Sequence, residues 1–271
     1  MNASNIDTRH PVGTPHDDPV YDSPELRPLL LFLGVALPVG WVLLSIPLVV
    51  DVPLAPFILA TLYLGLVLPA VVLTHGDPDA SVRALLRDTV RLPRPAWLLL
   101  PAALLIPVAV WGMAALLGVE TELDSSFLLS LALANVASSL LIVNLWEEMA
   151  WAGFVQRRPS ARWGYLGGSV ITAMMFVGVH LPLGLYGADG AADIARNVLA
   201  MVVSGIGMRL LIGAFDTWGH RSILALALIH ATFNASSELV DGDSDWVRYV
   251  VTLSLGLGAA VIYLTTGGRR R

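Results

Sequence analysis

Five side chains in this sequence could together attack an amide with water: Glu147, Glu148, His180, His230 and Asn234. A buried carboxylate can act as a general base on water, and an imidazole beside it can polarise that water or carry its proton. A His and an Asn on one helix face are donors suited to an oxyanion. His230 and Asn234 stand at i and i+4, so they share a face. Glu147 and Glu148 are neighbours, about 100° apart on a helix, so only one can face a site squarely. The other is expected to face a neighbouring helix. A second chemistry is open at this point, because Glu147, His180 and His230 could also ligate zinc. No Ser stands beside a clear base, and the sequence holds no His-Glu-x-x-His.

These residues lie inside long apolar runs. Of 271 residues, 56% are hydrophobic and 14% charged, and the mean hydropathy is +0.71. That balance excludes an ordinary soluble domain. Runs of about 18 or more apolar residues are long enough to cross ~30 Å of hydrocarbon as helices. Eight are expected, at 28–50, 52–74, 96–119, 126–155, 163–186, 194–215, 222–239 and 246–266. The fold class is therefore all-α, a polytopic membrane bundle. At ~1.5 Å rise per residue, Glu147 falls about 15 Å in from its arginine-flanked helix end, His180 about 20 Å, His230 about 12 Å and Asn234 about 18 Å. Ionisable groups at similar depth in three helices mark a site, since each is costly in lipid.

Charge placement orients the bundle. The net charge is −5, and all 16 basic residues are Arg. Arg83, Arg87, Arg91 and Arg94 fill one loop, Arg157, Arg158 and Arg162 another, and Arg221 and Arg269 to Arg271 follow. The alternate loops carry Glu120, Glu122, Asp124, Asp189, Asp193, Asp241, Asp243 and Asp245. The positive-inside rule then puts both termini in the cytoplasm of a plasma-membrane protein. Residues 1–25 read as a disordered polar tail, and 26–268 as one membrane domain. Residues 79–92 have the pattern of an interfacial amphipathic helix. Gly164 and Gly168 are expected to let two helices approach closely. Glu238 and His220 read as solvated, and Trp146 and Trp151 as packing or cavity lining. There is no Cys, which excludes disulfides and thiolate catalysis, and no basic stripe that would bind nucleic acid.

Three short patterns resemble the CPBP family, the CAAX-protease, bacteriocin-processing or Abi group of intramembrane endopeptidases. They are Glu147-Glu148-Met149-Ala150-Trp151-Ala152, Phe176-Val177-Gly178-Val179-His180 and His230-Ala231-Thr232-Phe233-Asn234, in the family's order, over about residues 126–240. The resemblance implies that Glu147 activates water, His180 assists it, His230 and Asn234 stabilise the oxyanion and Glu148 supports them. It implies a peptide or membrane-protein substrate in a cavity open towards the cytoplasm, with the bilayer as the other partner. No cofactor is required, and zinc is the alternative. The family's motif ends in Arg where this chain has Ala152. Glu148 then needs another cation, and Arg209, at similar depth, is the expected one. A non-catalytic scaffold or immunity protein is the alternative function, and a proton-coupled transporter a third.

Overall fold

The computed structural model describes residues 25–78, 80–121, 126, 130–240 and 242–267. The tail expected at 1–25, bar Glu25, lies outside them, as do Asp79, Glu122, Asp124, Asp241 and the terminal arginines. The described residues form helices and no strand. We number them α1 (Arg27–Val49), α2 (Ala55–His75), α3 (Val82–Val90), α4 (Ala96–Leu117), α5 (131–156), α6 (Arg157–His180), α7 (Ala191–Trp218), α8 (Ile223–Ala235) and α9 (Trp246–Ile262). Six helices among the described residues are long and apolar enough to cross a membrane. One of the six is the run Ala134–Leu185, and the shorter Ile223–Leu239 is also apolar.

The 52-residue run is not one rod. Its length as a straight helix, roughly 78 Å, far exceeds the bilayer. It bends at Gly164, whose φ of 72° and ψ of 175° lie outside the helical region. Glycine has no Cβ to oppose that backbone. A Cβ on Gly168 would collide with Ser160 across the bend. The Gly164-x-x-x-Gly168 spacing thus serves a turn within one chain segment, and a Cβ on Gly164 would meet nothing within 4 Å.

The segment α5 carries the two glutamates, and it lies between two apolar clusters. On one side Trp151 and Phe154 join Leu29, Phe32 and Leu66 from α1 and α2. On the other, Ala152 joins Met208, Leu211 and Ile212 of α7 with residues of α4 and α8. Wide i→i+5 turns recur along α5, over Leu140–Asn144 and Met149–Gln156. Such turns are rare and concentrate at functional sites, because each shifts the register of the side chains that follow. The short α3 starts at Ser81, whose Oγ accepts from the Ala84 N–H at 3.3 Å. It buries Leu85 and exposes Leu86, Val90 and Arg83, as an interfacial helix should.

Close packing of α7 and α9 sets the position of the site's one buried arginine, Arg209. A Cβ on Gly256 would strike the Gly207 carbonyl, and one on Gly207 would come within 2.5 Å of the Leu253 Cα. Gly256→Val is expected to destabilise the bundle by about 1–3 kcal/mol through overpacking. Gly258→Ala, which faces open space, should not. Thermal midpoints of the two variants in detergent check this.

Candidate active site

The sequence leaves open which glutamate faces the site, and the side-chain geometry answers it. Glu147 lines a cavity of about 840 Å³, together with His180, Arg209, His230 and Asn234. Glu148 turns the other way and is fully buried. Its two oxygens take both Nη donors of Arg209, Nη1 at 2.8 Å and Nη2 in a shorter contact. This is the bidentate fork that suits a carboxylate in a dry interior. Arg209 thus occupies the place of the cation that Ala152 cannot supply.

Hydrogen bonds fix both imidazoles. His180 Nδ1 lies 2.8 Å from the Phe176 carbonyl, which can only accept, so Nδ1 donates and, in the neutral ring, Nε2 carries the lone pair. That Nε2 is 3.4 Å from Glu147 Oε1. His230 Nδ1 donates to Glu148 Oε1 at 2.7 Å and lies 3.9 Å from Glu147 Oε2. The chain Arg209–Glu148–His230 therefore holds the second imidazole against the first carboxylate. Asn234, half-buried one turn further along α8, lines the same cavity.

Phe176 anchors the first imidazole. Its ring stacks on His180 with centroids 4.2 Å apart and meets Trp151 edge-on at 5.4 Å. The Arg209 guanidinium lies 5.3 Å over the same ring. Sequence reading noted Phe176 only as a motif letter, although its i, i+4 spacing to His180 signals this stack. It also missed Thr61, a buried residue of the cavity lining, and the lining residues Arg196 and Arg248 towards the mouth. Nothing in their local sequence marks them. Trp151 is buried packing, Glu238 and His220 are exposed, and Asn144 accepts from Ser139 Oγ at 2.5 Å.

Zinc is not matched by this donor set. It needs donors about 2.0–2.3 Å from one point. The His230 nitrogen that faces Glu147 is the one already bonded to Glu148. Among the described residues, no three His, Asp or Glu side chains converge to hold a metal ion.

The cavity also departs from expectation in its direction. Of its lining residues, Arg196, Gly242, Asp243 and Trp246 are exposed and mark its mouth, with Tyr186 and Asn197 half-buried beside them. They lie at the end opposite to the arginine-rich loops. Towards those loops, residues 147–159 are buried without a break. A cavity open to the cytoplasm and an arginine-rich end in the cytoplasm therefore cannot both hold.

Comparison with known proteins finds one family similar to the stretch that holds all three motifs. Residues 127–236 match the family described as Rce1-like, Type II CAAX prenyl endopeptidase Rce1-like. No curated protein matches the chain. The matched stretch runs from the helix with Glu147 and Glu148 to the helix with His230 and Asn234. This multi-pass membrane protein is thus similar, over residues 127–236, to the Rce1-like type II CAAX prenyl endopeptidases, in line with the resemblance that its three motifs carry.

Proposed function

We propose that the protein is an intramembrane endopeptidase that uses Glu147 as the general base on water. One observation carries this reading. Glu147 Oε1 and His180 Nε2 face each other at 3.4 Å on a cavity wall. With the ring neutral, both atoms are acceptors, and a water donating to both bridges them. The water's oxygen is then aimed into the cavity, where a peptide carbonyl can meet it.

The reaction balances on these residues. Water oxygen bonds to the carbonyl carbon as Glu147 takes its proton. The carbonyl π electrons move to oxygen, and Asn234 Nδ2–H donates to that oxyanion. His230, whose Nδ1 donates to Glu148, offers Nε2–H as a second donor when its ring carries both protons. The C–N bond then breaks, and Glu147 returns its proton to the leaving amine. His180, held by Phe176, orients the water throughout.

The non-catalytic alternative rested on Ala152. Arg209 supplies the missing cation, which favours an assembled site. The test is cleavage of a proteome-derived peptide library by the detergent-purified protein, read by mass spectrometry. New termini should form with the wild type and not with Glu147→Gln. Equal cleavage by both rejects the mechanism. Because the donors do not fit zinc, cleavage is expected to continue at an undiminished rate in excess chelator. Loss of activity that added zinc restores would contradict this.

A further inference from the structure

The cavity's floor and mouth lie at opposite ends of the bundle. The floor holds Glu147 and Arg209. At the mouth, Asn197 Nδ2 donates to the Gly184 carbonyl at 3.1 Å, and Tyr186 Oη donates to the Leu44 carbonyl at 3.1 Å. The last turns of α1, the turn after α6 and the start of α7 are thereby tied together at that end. From Arg209 back to Arg196 along α7 is about 20 Å at helical rise. The passage is therefore deep and runs away from α3.

The floor end is sealed by a charge network. Arg157 is buried and bonds Asp216 at 2.9 and 3.2 Å and Asp88 at 3.2 Å. Asp88 also pairs with Arg91 at 2.8 Å, and Ser222 Oγ donates to the Arg91 carbonyl at 2.6 Å. These bonds draw α3, the start of α6, the end of α7 and the start of α8 into one plug. No lining residue of the cavity comes from that plug.

Charge tells which end faces the cytoplasm. The plug end carries Arg83, Arg87, Arg91, Arg94, Arg157, Arg158, Arg162 and Arg221. The mouth end carries Arg196 and Arg248, both paired with acids, Asp193 and Asp245 respectively. Short loops rich in Arg are retained in the cytoplasm, and acidic residues matter little.

We infer that the cavity opens to the non-cytoplasmic side of the membrane and takes its substrate from there, as an extracytoplasmic peptide segment. The word substrate rests on the hydrolytic reading above; the orientation does not. A peptide entering past Asn197 and Asp243 meets polar groups at the mouth and Glu147 at the bottom. A cytoplasmic chain would have to pass the Arg157 plug, through residues 147–159 that are buried throughout.

The chain has no cysteine, so single introduced thiols can be labelled without background. Three variants suffice: Asp189→Cys in the mouth loop, Met201→Cys on the cavity wall and Arg83→Cys on α3. Intact cells are treated with a membrane-impermeant maleimide. Labelling of Asp189→Cys and Met201→Cys is expected, with Arg83→Cys labelled only after the membrane is opened. Labelling of Arg83→Cys in intact cells overturns the orientation, as does protection of Asp189→Cys. A Met201→Cys thiol that resists the impermeant reagent while Asp189→Cys reacts overturns the open mouth. Labelling needs no turnover, so an inactive protein still gives the answer. Failure of the peptidase reading is thereby kept apart from failure of this one.

Discussion

Glu147→Gln is expected to lower the rate of peptide hydrolysis by about 10³-fold, with the thermal midpoint unchanged. General-base catalysis contributes roughly 10²–10⁴ in rate. Glutamine keeps the volume and can donate to His180 Nε2, so the local packing survives. What it lacks is a site for the water's proton. Glu148→Gln should behave differently, although it is the next residue. Its carboxylate takes both Nη groups of Arg209 and the Nδ1–H of His230. Neutralising it leaves a buried guanidinium short of charge, a change that costs stability first. Measured side by side, kcat should fall steeply in the first variant and the midpoint in the second. If the two glutamines reversed these effects, Glu148 would be the base.

Much of this division of labour was legible in the chain. The i, i+4 spacing of His230 and Asn234 and the adjacency of the glutamates fix relative directions on a helix, because helical geometry is local. Similar depth for Glu147, His180 and His230 follows from rise per residue. The need of Glu148 for a cation followed from the resembled motif, whose Arg is Ala152 here, and Arg209 followed from its similar depth. What was not legible is set by backbone irregularity and by which helices touch. The turn at Gly164 looks in sequence like a helix-packing motif, since glycine serves both purposes. The recurring i→i+5 turns of α5 leave no residue signature, yet they change which faces Asn144 and Trp151 present. The direction of the cavity depends on packing between α3, α6, α7 and α8. Those contacts join residues up to 131 positions apart, as Ser222 and Arg91 are.

The tie between His230 and Glu148 also revises how the oxyanion site is read. Sequence reasoning pairs His230 with Asn234, because both lie on one face of α8. The structure adds that Nδ1 of His230 is already committed to Glu148. Only Nε2 remains for the cavity, and it donates only when the ring carries two protons. The carboxylate–guanidinium pair beneath it is thus coupled to the chemistry, through the imidazole, without touching the peptide.

That coupling can be tested by moving the cation. Arg209→Ala leaves Glu148 as a buried charge without its partner, which costs about 3–5 kcal/mol. Activity should fall with stability, as His230 loses its anchor. Ala152 lies one turn beyond Glu148 on α5 and packs with Met208, Leu211 and Ile212, which flank Arg209 on α7. An arginine placed there can reach into the space that Arg209→Ala vacates. It also restores the family's Glu-Glu-x-x-x-Arg spacing. Ala152→Arg alone is expected to destabilise by about 1–3 kcal/mol, because a long side chain enters a filled core beside a guanidinium already in place. The double variant should be more stable than the sum of the two single losses allows, and it should recover most of the hydrolysis lost in Arg209→Ala. A double-mutant cycle on the thermal midpoint and on kcat measures that interaction. Additive losses would mean that the cation's position, and not only its charge, is fixed by α7. Glu148 would then depend on Arg209 alone, and Ala152 would be a residue that the bundle needs small.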